Sequence, residues 1–420
     1  MARQMKDSGF ASIGLLPAKW SMQKVKNAFY RSKAEAHIED PVVLSLARSG
    51  VKIRDISTNE GQIAESYYNY NPVVAGDLLL NPMDLYSGAN CSISKVEGVI
   101  SPAYINLRTT GDYSPAYYDY YFKTQYWSMS FFAHGKGVSF DNRWTLSPND
   151  LLNYPIPVPS YEEQKRIAEY LDCTCKAIDT VIEKTKSTIE EYKMLKQSIV
   201  VDAVTKGIQR ERTLVDSGIE WIGKIPVEWT IKVAFQLFNQ VKNKNEGLIE
   251  QNLLSLSYGK IKRKSINSVG GLLPESFDGY NIIEKDDIVL RLTDLQNDHT
   301  SLRVGLSSER GIVTSAYVAL RNQSENTPLY LYYYLHSFDL CKGFYGMGAG
   351  VRQGLNWDGL KLLKIALPPV EEQKEITAYL EQKCSEIDTL IAKKTALLEE
   401  METYKKSVIY EYVTGKKEVI

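Results

Sequence analysis

The side chains with the clearest chemical signature in this chain are two groups of cations, each following a Leu-Ser-Leu segment. Residues 254–256 precede a group of four cations, and residues 44–46 precede a group of three. Alternate residues of a strand share a face, so this spacing sets positive charges side by side. A solvated strand face is the simpler interpretation. Recurrence of the group favours a surface that contacts phosphate, formed by Arg48, Lys52, Arg54, Lys260, Lys262, Arg263 and Lys264.

Two later segments, 136–143 and 350–356, carry side chains suited to nucleobases. Arg, Gln and Asn pair bidentately with guanine or adenine edges. The two segments differ in sequence, as expected if each contacts different bases. We therefore predict DNA contacts from Lys136, Arg143, Arg352, Gln353 and Asn356. Tyrosines concentrated at 117–126 and 330–334 have helical spacing, which favours core packing over base stacking.

Signatures of catalysis are scarce in the sequence. There is no phosphate-binding G-x-x-x-x-G-K-[ST] segment, no H-E-x-x-H and no G-x-S-x-G. The chain has 5 cysteines without a C-x-x-C pair and 4 histidines, which favours free thiols over a zinc site. The glycines at 346, 348 and 350 follow a tyrosine-rich helix and predict a flexible loop. We expect no catalytic residue, no metal and no cofactor in this chain.

An internal repeat organises the 420 residues. Glu-Glu-Gln-Lys at 162–165 returns at 371–374, an offset of 209, and the match continues without a gap to Thr205 and Thr414. The same offset relates Asp-Ser-Gly at 7–9 to 216–218, and Trp20 to Trp229. The chain is therefore two tandem copies of one unit of about 200 residues, within the usual size of a domain.

Each copy joins a domain of short strands and turns to a long helix. Ser114-Pro115 and Thr327-Pro328 predict helix starts at which the hydroxyl caps free N–H groups. We predict an α+β fold of two tandem α/β domains, each followed by a long helix; strand order is not readable. The predicted boundaries are domain 1–158, helix 159–207, linker 208–215, domain 216–366 and helix 367–415.

Both predicted helices carry an apolar seam with a 3.5-residue repeat over about four to five heptads, which favours a coiled coil. The two seams are interrupted at equivalent positions, so they are suited to pair with each other. About 45 residues at 1.5 Å each give a spacer of roughly 68 Å. The predicted seam residues are Leu171, Ile178, Ile182, Ile189, Ile199, Leu380, Ile387, Ile391, Leu398 and Val408.

The repeated Glu-Glu-Gln-Lys helix start, following a domain that begins near Ile-Gly-x-x-Pro-x-x-Trp, resembles the specificity subunit of type I restriction–modification systems over nearly the whole chain. The resemblance implies two target recognition domains that each read half of a bipartite site in double-stranded DNA. It also implies helices paired antiparallel with pseudo-two-fold symmetry. Two methyltransferase subunits carrying S-adenosylmethionine, and restriction subunits using ATP and Mg, would be the partners. Ser160-Tyr161, where the second copy has Pro369-Val370, is a departure from the repeated pattern.

Two other classes remain open on the sequence alone, a stand-alone DNA-binding regulator and a coiled-coil scaffold. The net charge of −1 excludes a uniformly basic nucleic-acid coat. No apolar run approaches the roughly 18–20 residues of a membrane span, and the first residues lack a secretory signal, so we expect a cytoplasmic protein without a membrane partner. If the helices act as a spacer, the DNA site has two different half-sites and a gap of roughly six base pairs, because centres about 10 base pairs apart lie on one face.

Overall fold

Each copy of the repeat folds into the same order of strands and helices. The computed structural model of the chain describes residues 3–57, 64–83, 85, 90–137, 144–209, 211–265, 276–295, 298, 300–347 and 354–419. It divides into a first unit, Met1–Lys186 with Ala396–Ile420, and a second unit, Ser187–Thr395. Each unit therefore contains one domain, the beginning of the helix that follows it and the end of the other helix.

The strands and helices of the first copy have the following bounds: β1 Met5–Asp7, β2 Leu15–Pro17, β3 Ser21–Lys24, α1 Val25–Ala28, β4 Phe29–Arg31, β5 Leu44–Ala47, β6 Gly50–Ile53, β7 Asn71–Val73, β8 Leu78–Leu80, β9 Cys91–Ile93, β10 Gly98–Ile100, β11 Ile105–Thr109, α2 Pro115–Trp127, α3 Ser130–Ala133, α4 Pro148–Leu152, β12 Pro155–Val158 and α5 Tyr161–Lys206.

The second copy repeats that order, with an additional 3-10 turn, Glu246–Leu248, after β16 and a 3-10 turn, Gly343–Gly346, after α7 in place of the helix α3: β13 Leu214–Asp216, β14 Lys224–Pro226, β15 Thr230–Val233, α6 Ala234–Leu237, β16 Phe238–Gln240, β17 Leu254–Ser257, β18 Lys260–Arg263, β19 Asn281–Ile283, β20 Ile288–Leu290, β21 Val304–Leu306, β22 Gly311–Val313, β23 Val318–Asn322, α7 Pro328–Leu340, α8 Trp357–Leu360, β24 Lys364–Leu367 and α9 Val370–Val413.

The two units share one sheet topology. A four-stranded antiparallel sheet has the order β4-β11-β8-β9 in the first unit and β16-β23-β20-β21 in the second. The hairpins β5–β6 and β17–β18 also correspond, since Leu44 pairs with Ile53 and Leu254 with Arg263. The repeat thus has an offset of 210 at the hairpins rather than 209, because short insertions separate them from the helices.

The tyrosine-rich helices α2 and α7 fill the main core of each unit. Tyr117, Tyr118 and Tyr121 are fully buried in the first unit, as are Tyr330 and Tyr334 in the second. In the first unit they pack with apolar residues from the start of α5 and the end of α9. In the second unit the end of α5 and the start of α9 take those places. The predicted core role of these tyrosines is confirmed.

Within each unit the two long helices run antiparallel. In the first unit Lys405 contacts Asp179 at 2.6 Å, while the Tyr412 hydroxyl lies 3.1 Å from that of Tyr170. Advancing along α9 therefore means moving back along α5. In the second unit Lys196 contacts Asp388 at 2.7 Å, which is the same pair with the helices exchanged. The predicted fold class, α+β domains followed by long, pairing helices, is confirmed.

Burial along the helices follows the predicted seam except near their ends and middle. The buried seam residues are Leu171, Ile178, Ile182, Ile189, Leu380, Ile387 and Val408, whereas Ile199, Ile391 and Leu398 are half-buried. Near its end α5 buries Val200, Ala203 and Val204 instead. There the helix packs on a whole domain core, which requires a broader apolar face than a two-helix seam.

The starts of α2, α5 and α9 agree with the sequence prediction, whereas the start of α7 differs from it. Ser114 caps α2 by accepting the N–H of Tyr117 at 3.4 Å. Helices α5 and α9 begin at equivalent residues despite the Ser160-Tyr161 departure. The prediction for Thr327 is wrong: its side chain makes no cap, because the hydroxyl donates to the Gln373 side chain at 3.3 Å.

Candidate nucleic-acid interface

The repeated Trp and Glu residues form one contact that joins each domain to its helix. In the first unit the Trp20 indole donates to Glu163 at 2.9 Å, and Arg3 forms an ion pair with the same carboxylate. In the second unit Trp229 donates to Glu372 at 3.2 Å, and Arg212 pairs with it. This part of the repeat is therefore architectural, because it fixes the domain on the helix.

The Gln of the same motif ties the long helix to the tyrosine-rich helix. Gln164 is buried; its oxygen accepts the Ser114 N–H at 2.9 Å and its amide donates to the Pro159 carbonyl at 3.0 Å. Gln373 makes the equivalent bonds to Thr327 and Pro368 at 3.0 and 2.9 Å. Each bond satisfies a buried polar group, so both glutamines orient the domain rather than perform chemistry.

A bidentate Asp–Arg pair braces the four-stranded sheet of each unit. Asp77 accepts from Arg108 at 2.7 and 3.0 Å, and Asp287 accepts from Arg321 at 2.8 and 2.7 Å. Both carboxylates are buried. The sequence places an Asp before an apolar strand in each copy but does not show which cation meets it, because the partner lies on a neighbouring strand.

The predicted phosphate-contacting cations lie on and beside the two hairpins. Lys260 and Lys262 are exposed on β18 and alternate with Ile261, which packs against the domain core. Lys264 is also exposed. Arg263 makes a bidentate ion pair with Glu309, so its charge is compensated within the domain. The assignment of these residues to phosphate stays a prediction.

Two of the three cations of the first hairpin lie at positions that also carry a cation in the second hairpin. The third, at the tip, does not. Lys52 occupies the position of Lys262 and is exposed. Arg54 is half-buried; burial raises the pKa of the neighbouring Tyr104, and the charge of Arg54 offsets part of that rise. Arg48 lies at the turn, where the second hairpin has Tyr258, an exposed side chain in the left-handed region at φ 48°. Sequence comparison at a fixed offset of 209 misses this exchange.

Described residues in or next to the two later segments lie beside equivalent loops of the sheet. The Leu146 N–H donates to the Pro82 carbonyl, and the Leu355 N–H donates to the Leu292 carbonyl, each at 2.8 Å. Lys136 is exposed and 3.7 Å from Asp150. Asn356 uses its side-chain oxygen to cap α8 through the Gly359 N–H at 3.1 Å, which leaves its amide group for a ligand. Arg143, Arg352 and Gln353 lie outside the described residues.

A cleft separates the hairpin tip from the helix pair in each unit. The first cleft has a volume of about 1050 Å³ and includes Lys123. The second has about 930 Å³ and includes Tyr332 and His336. In α2 the buried Asp119 pairs with Lys123 at 2.6 Å, and burial raises the pKa of Asp119. In α7 the corresponding residues, Tyr332 and His336, are stacked rings with centroids 5.6 Å apart.

Burial, with a contribution from Lys196, lowers the pKa of His336 to about 4, so this imidazole is neutral at physiological pH.

Within the described part of the chain, no group of His, Cys, Asp and Glu side chains is arranged to hold a metal ion. Among the described helices, none is long and apolar enough to span a bilayer.

Comparison with known proteins agrees with the duplicated architecture. Residues 226–400 match the family model of the type I restriction modification DNA specificity domain. The chain is 26% identical over 286 residues to the type I restriction enzyme MjaX specificity subunit of Methanocaldococcus jannaschii, an alignment covering 66% of this chain and 62% of that protein. It is 21% identical over 396 residues to the EcoBI specificity subunit of Escherichia coli, covering 88% of this chain and 79% of that one.

Solved structures show the same fold. A chain from a structure of a type I R-M system superposes with a TM-score of 0.69 at 14% identity, covering 96% of this chain and 99% of that chain. The HsdS subunit from Thermoanaerobacter tengcongensis superposes with a TM-score of 0.53 at 15% identity, covering 96% and 98%. The fold and the framework contacts define a duplicated α+β protein whose two domains are each held on a pair of long helices. Along most of its length the chain is similar to specificity subunits of type I restriction–modification systems.

Proposed function

We propose that this chain is the sequence-recognition subunit of a type I restriction–modification complex and reads a bipartite, asymmetric DNA site, one half-site per unit. The observation that carries the proposal is that the two units share their framework contacts and differ on their surfaces. The Trp–Glu–Arg, Gln and Asp–Arg contacts recur in both. The hairpin tips do not match. A shared framework with different surfaces is what two different half-sites require.

The chain is proposed to be non-catalytic and to rely on its partners for chemistry. The sequence has none of the motifs that hold a nucleotide phosphate or a catalytic zinc. S-adenosylmethionine is accordingly assigned to two methyltransferase subunits, and ATP with Mg to restriction subunits that join through them. Methylation or ATP hydrolysis by the purified chain alone would contradict this assignment.

Docking of two copies of one methyltransferase subunit is supported by a repeated apolar surface on the long helices. In the first unit Val181 and Tyr404 are exposed. In the second unit Leu390 and Leu195 occupy the equivalent positions, at the offset of 209, and are exposed as well. Exposed apolar residues that recur on an otherwise charged surface are typical of a protein interface.

Co-expression with a methyltransferase subunit tests both parts of the proposal. Genome-wide adenine methylation is expected to appear at a split site with two different half-sites, and to vanish when this chain is omitted. A stand-alone regulator would bind DNA and leave methylation unchanged. A scaffold would assemble partners without selecting a sequence.

The docking surface is tested by measuring the mass of the assembly. The double variant Val181→Asp/Tyr404→Asp is expected to lose one methyltransferase copy, and addition of Leu195→Asp/Leu390→Asp is expected to remove both. Thr403→Asp adds a charge at a neighbouring exposed position and serves as the control, with no loss expected. Full assembly by the quadruple variant would contradict the assigned surface.

A further inference from the structure

A fully buried arginine organises the loop between β20 and β21. Arg303 has no measurable exposure and immediately precedes β21. Its Nη1 donates to the carbonyls of Arg291 and Thr293 at 3.1 and 2.9 Å. Its Nη2 donates to the carbonyls of Asp294 and Asp298 at 3.3 and 2.5 Å. Four main-chain carbonyls of one loop therefore converge on a single guanidinium.

The same side chain reaches a second loop. Arg303 Nε donates to the Tyr345 hydroxyl at 3.2 Å, and that hydroxyl donates to the Asp298 carbonyl at 3.0 Å. Tyr345 belongs to the 3-10 turn Gly343–Gly346, which comes just before the segment predicted to contact bases. The main-chain N–H of Arg303 is held by the Asp339 carboxylate of α7 at 2.6 Å. Arg303 thus links two loops to the core helix.

Among the described residues, this arrangement is found in the second unit and not in the first. Asn81 donates its N–H to the Asn90 carbonyl at 2.8 Å, as Arg291 does to Arg303 at 2.9 Å, so Asn90 occupies the position of Arg303. Asparagine is too short to gather several carbonyls of a neighbouring loop. Burying a guanidinium without a carboxylate at its nitrogens is unfavourable, and the carbonyl bonds only offset that desolvation. A purely architectural contact has no reason to differ between copies whose other framework contacts recur.

We propose that Arg303 is a positioning residue for the second half-site: it fixes the β20–β21 loop and the Tyr345 turn, and thereby sets the base selectivity of the second unit. The inference rests on the proposed function and assigns this selectivity to residues that the sequence did not single out. The loop lies beside the predicted base-contacting segment, since Leu355 donates to Leu292. Thr293 and Thr300, near the ends of the loop, are exposed.

The test uses Arg303→Lys in the full chain assembled with methyltransferase subunits. Lysine keeps the charge and removes the planar fork that reaches several carbonyls at once. The methylation site of the wild-type assembly is mapped first, and substrates are then made with one base changed in either half-site. Discrimination against changes in the second half-site is expected to fall at least tenfold. Discrimination in the first half-site is expected to stay within twofold.

Two further variants separate positioning from loss of stability. Tyr345→Phe removes only the hydroxyl, so it should lower discrimination in the second half-site by about threefold without impairing folding. Ile312→Ala opens a cavity in the same unit away from the loop and should lower the melting temperature without changing discrimination. Unchanged discrimination in Arg303→Lys and Tyr345→Phe, equal loss in both half-sites, or the same loss in Ile312→Ala would overturn the proposal. A wild-type assembly whose methylation does not depend on this chain would instead refute the proposed function.

Discussion

Two equivalent positions on the tyrosine-rich helices α2 and α7 carry different kinds of side-chain pair, one charged and one aromatic. In α2 they hold an ion pair, Asp119 and Lys123, and in α7 they hold the stacked rings of Tyr332 and His336. Lys123 lines the cleft between hairpin and long helices in the first unit, and both Tyr332 and His336 line the corresponding cleft in the second. The Trp–Glu–Arg, Gln and Asp–Arg contacts are repeated in both units. The two units therefore share the contacts that hold each domain on its helices and differ in the side chains that line the cleft.

The largest expected effect concerns the buried carboxylate that holds each domain on its helix. Glu372→Gln should reduce the free energy of unfolding by about 2–3 kcal/mol, because it removes the buried carboxylate that pairs with Arg212 and leaves only the more exposed Glu228. The side chains of Arg212 and Glu372 are only 11% and 9% exposed, against 22% and 16% for Arg3 and Glu163. Glu163→Gln should therefore reduce it by only about 1–2 kcal/mol.

Urea unfolding followed by tryptophan fluorescence measures both losses. Glu371→Gln is the matched control, since its side chain is 80% exposed and its ion pair with Lys374 should contribute less than about 0.5 kcal/mol. Equal losses in Glu372→Gln and Glu163→Gln would show that burial does not distinguish the two contacts.

Two buried groups of the second unit should make its stability respond to pH in opposite directions. The pKa of His336 is lowered to about 4 from an ordinary 6.5, so its contribution is present above pH 6.5 and is lost as pH falls towards 4. Burial raises the pKa of Asp339 to about 6 from 3.8, so its contribution is present below pH 3.8 and is lost as pH rises through 6. Each amounts to about 2 kcal/mol after allowance for solvent.

Single variants should separate these two contributions. Thermal unfolding at several pH values compares each variant with the wild type. His336→Phe should raise the stability of the unit at pH 4.5 relative to its stability at pH 7. Asp339→Asn should lower the stability at pH 4.5 relative to that at pH 7. Lys123 stands at the His336 position in the first unit, and a lysine does not titrate in this range. Parallel pH profiles for both variants and the wild type would contradict the assignment.

The hairpin prediction can now be sharpened by comparing neighbouring cations. Lys262→Gln should weaken binding to all DNA sequences similarly and lower the salt slope by about one unit, as should Lys52→Gln in the first unit. Arg263→Gln should lower the slope by less, because Glu309 already compensates that charge. Titration of labelled duplexes at several salt concentrations gives the slopes. A larger change for Arg263→Gln than for Lys262→Gln would mean that DNA displaces Glu309.

The smallest effect is expected at the helix caps. Ser114→Ala should lower the unfolding free energy by about 1 kcal/mol, because it leaves the Tyr117 N–H without its acceptor. Thr327→Ala should lower it by about half as much, since Gln373 still accepts the main-chain N–H of residue 327. Thermal unfolding of the two variants measures the difference. A greater loss for Thr327→Ala would mean that its hydroxyl bond matters more than the cap in α2.

The sequence predicted those parts of the fold that depend on periodicity and recurrence. The seam of α5 and α9 was readable because apolar residues recur at a helical period, and the duplication was readable from a gapless match. The sequence did not show that Val200 and Val204 are buried in place of Ile199. Their burial depends on packing against a domain core that is formed by residues distant in sequence.

The sequence predicted the candidate interface only in outline. The cation groups could be found from their spacing, yet the pairing of Arg263 with Glu309 joins residues 46 positions apart. Arg303 gave no signal, since an arginine before a strand is ordinarily solvated and its burial follows from the path of a loop. Correspondence of Arg48 with Tyr258 became visible only from strand register, because the offset of the repeat changes along the chain.

The division of the chain into units has a consequence for synthesis on the ribosome. The first unit needs Ala396–Ile420, in which the Val413 carbonyl accepts the buried Tyr117 hydroxyl at 2.7 Å. The second unit needs only Ser187–Thr395, in which Val204 accepts the hydroxyl of Tyr330 at 3.3 Å. The copy that is translated first is therefore completed last. Until residues 396–413 emerge, the nascent amino-terminal domain lacks Val408, Ile409 and Val413, which cover part of its apolar core.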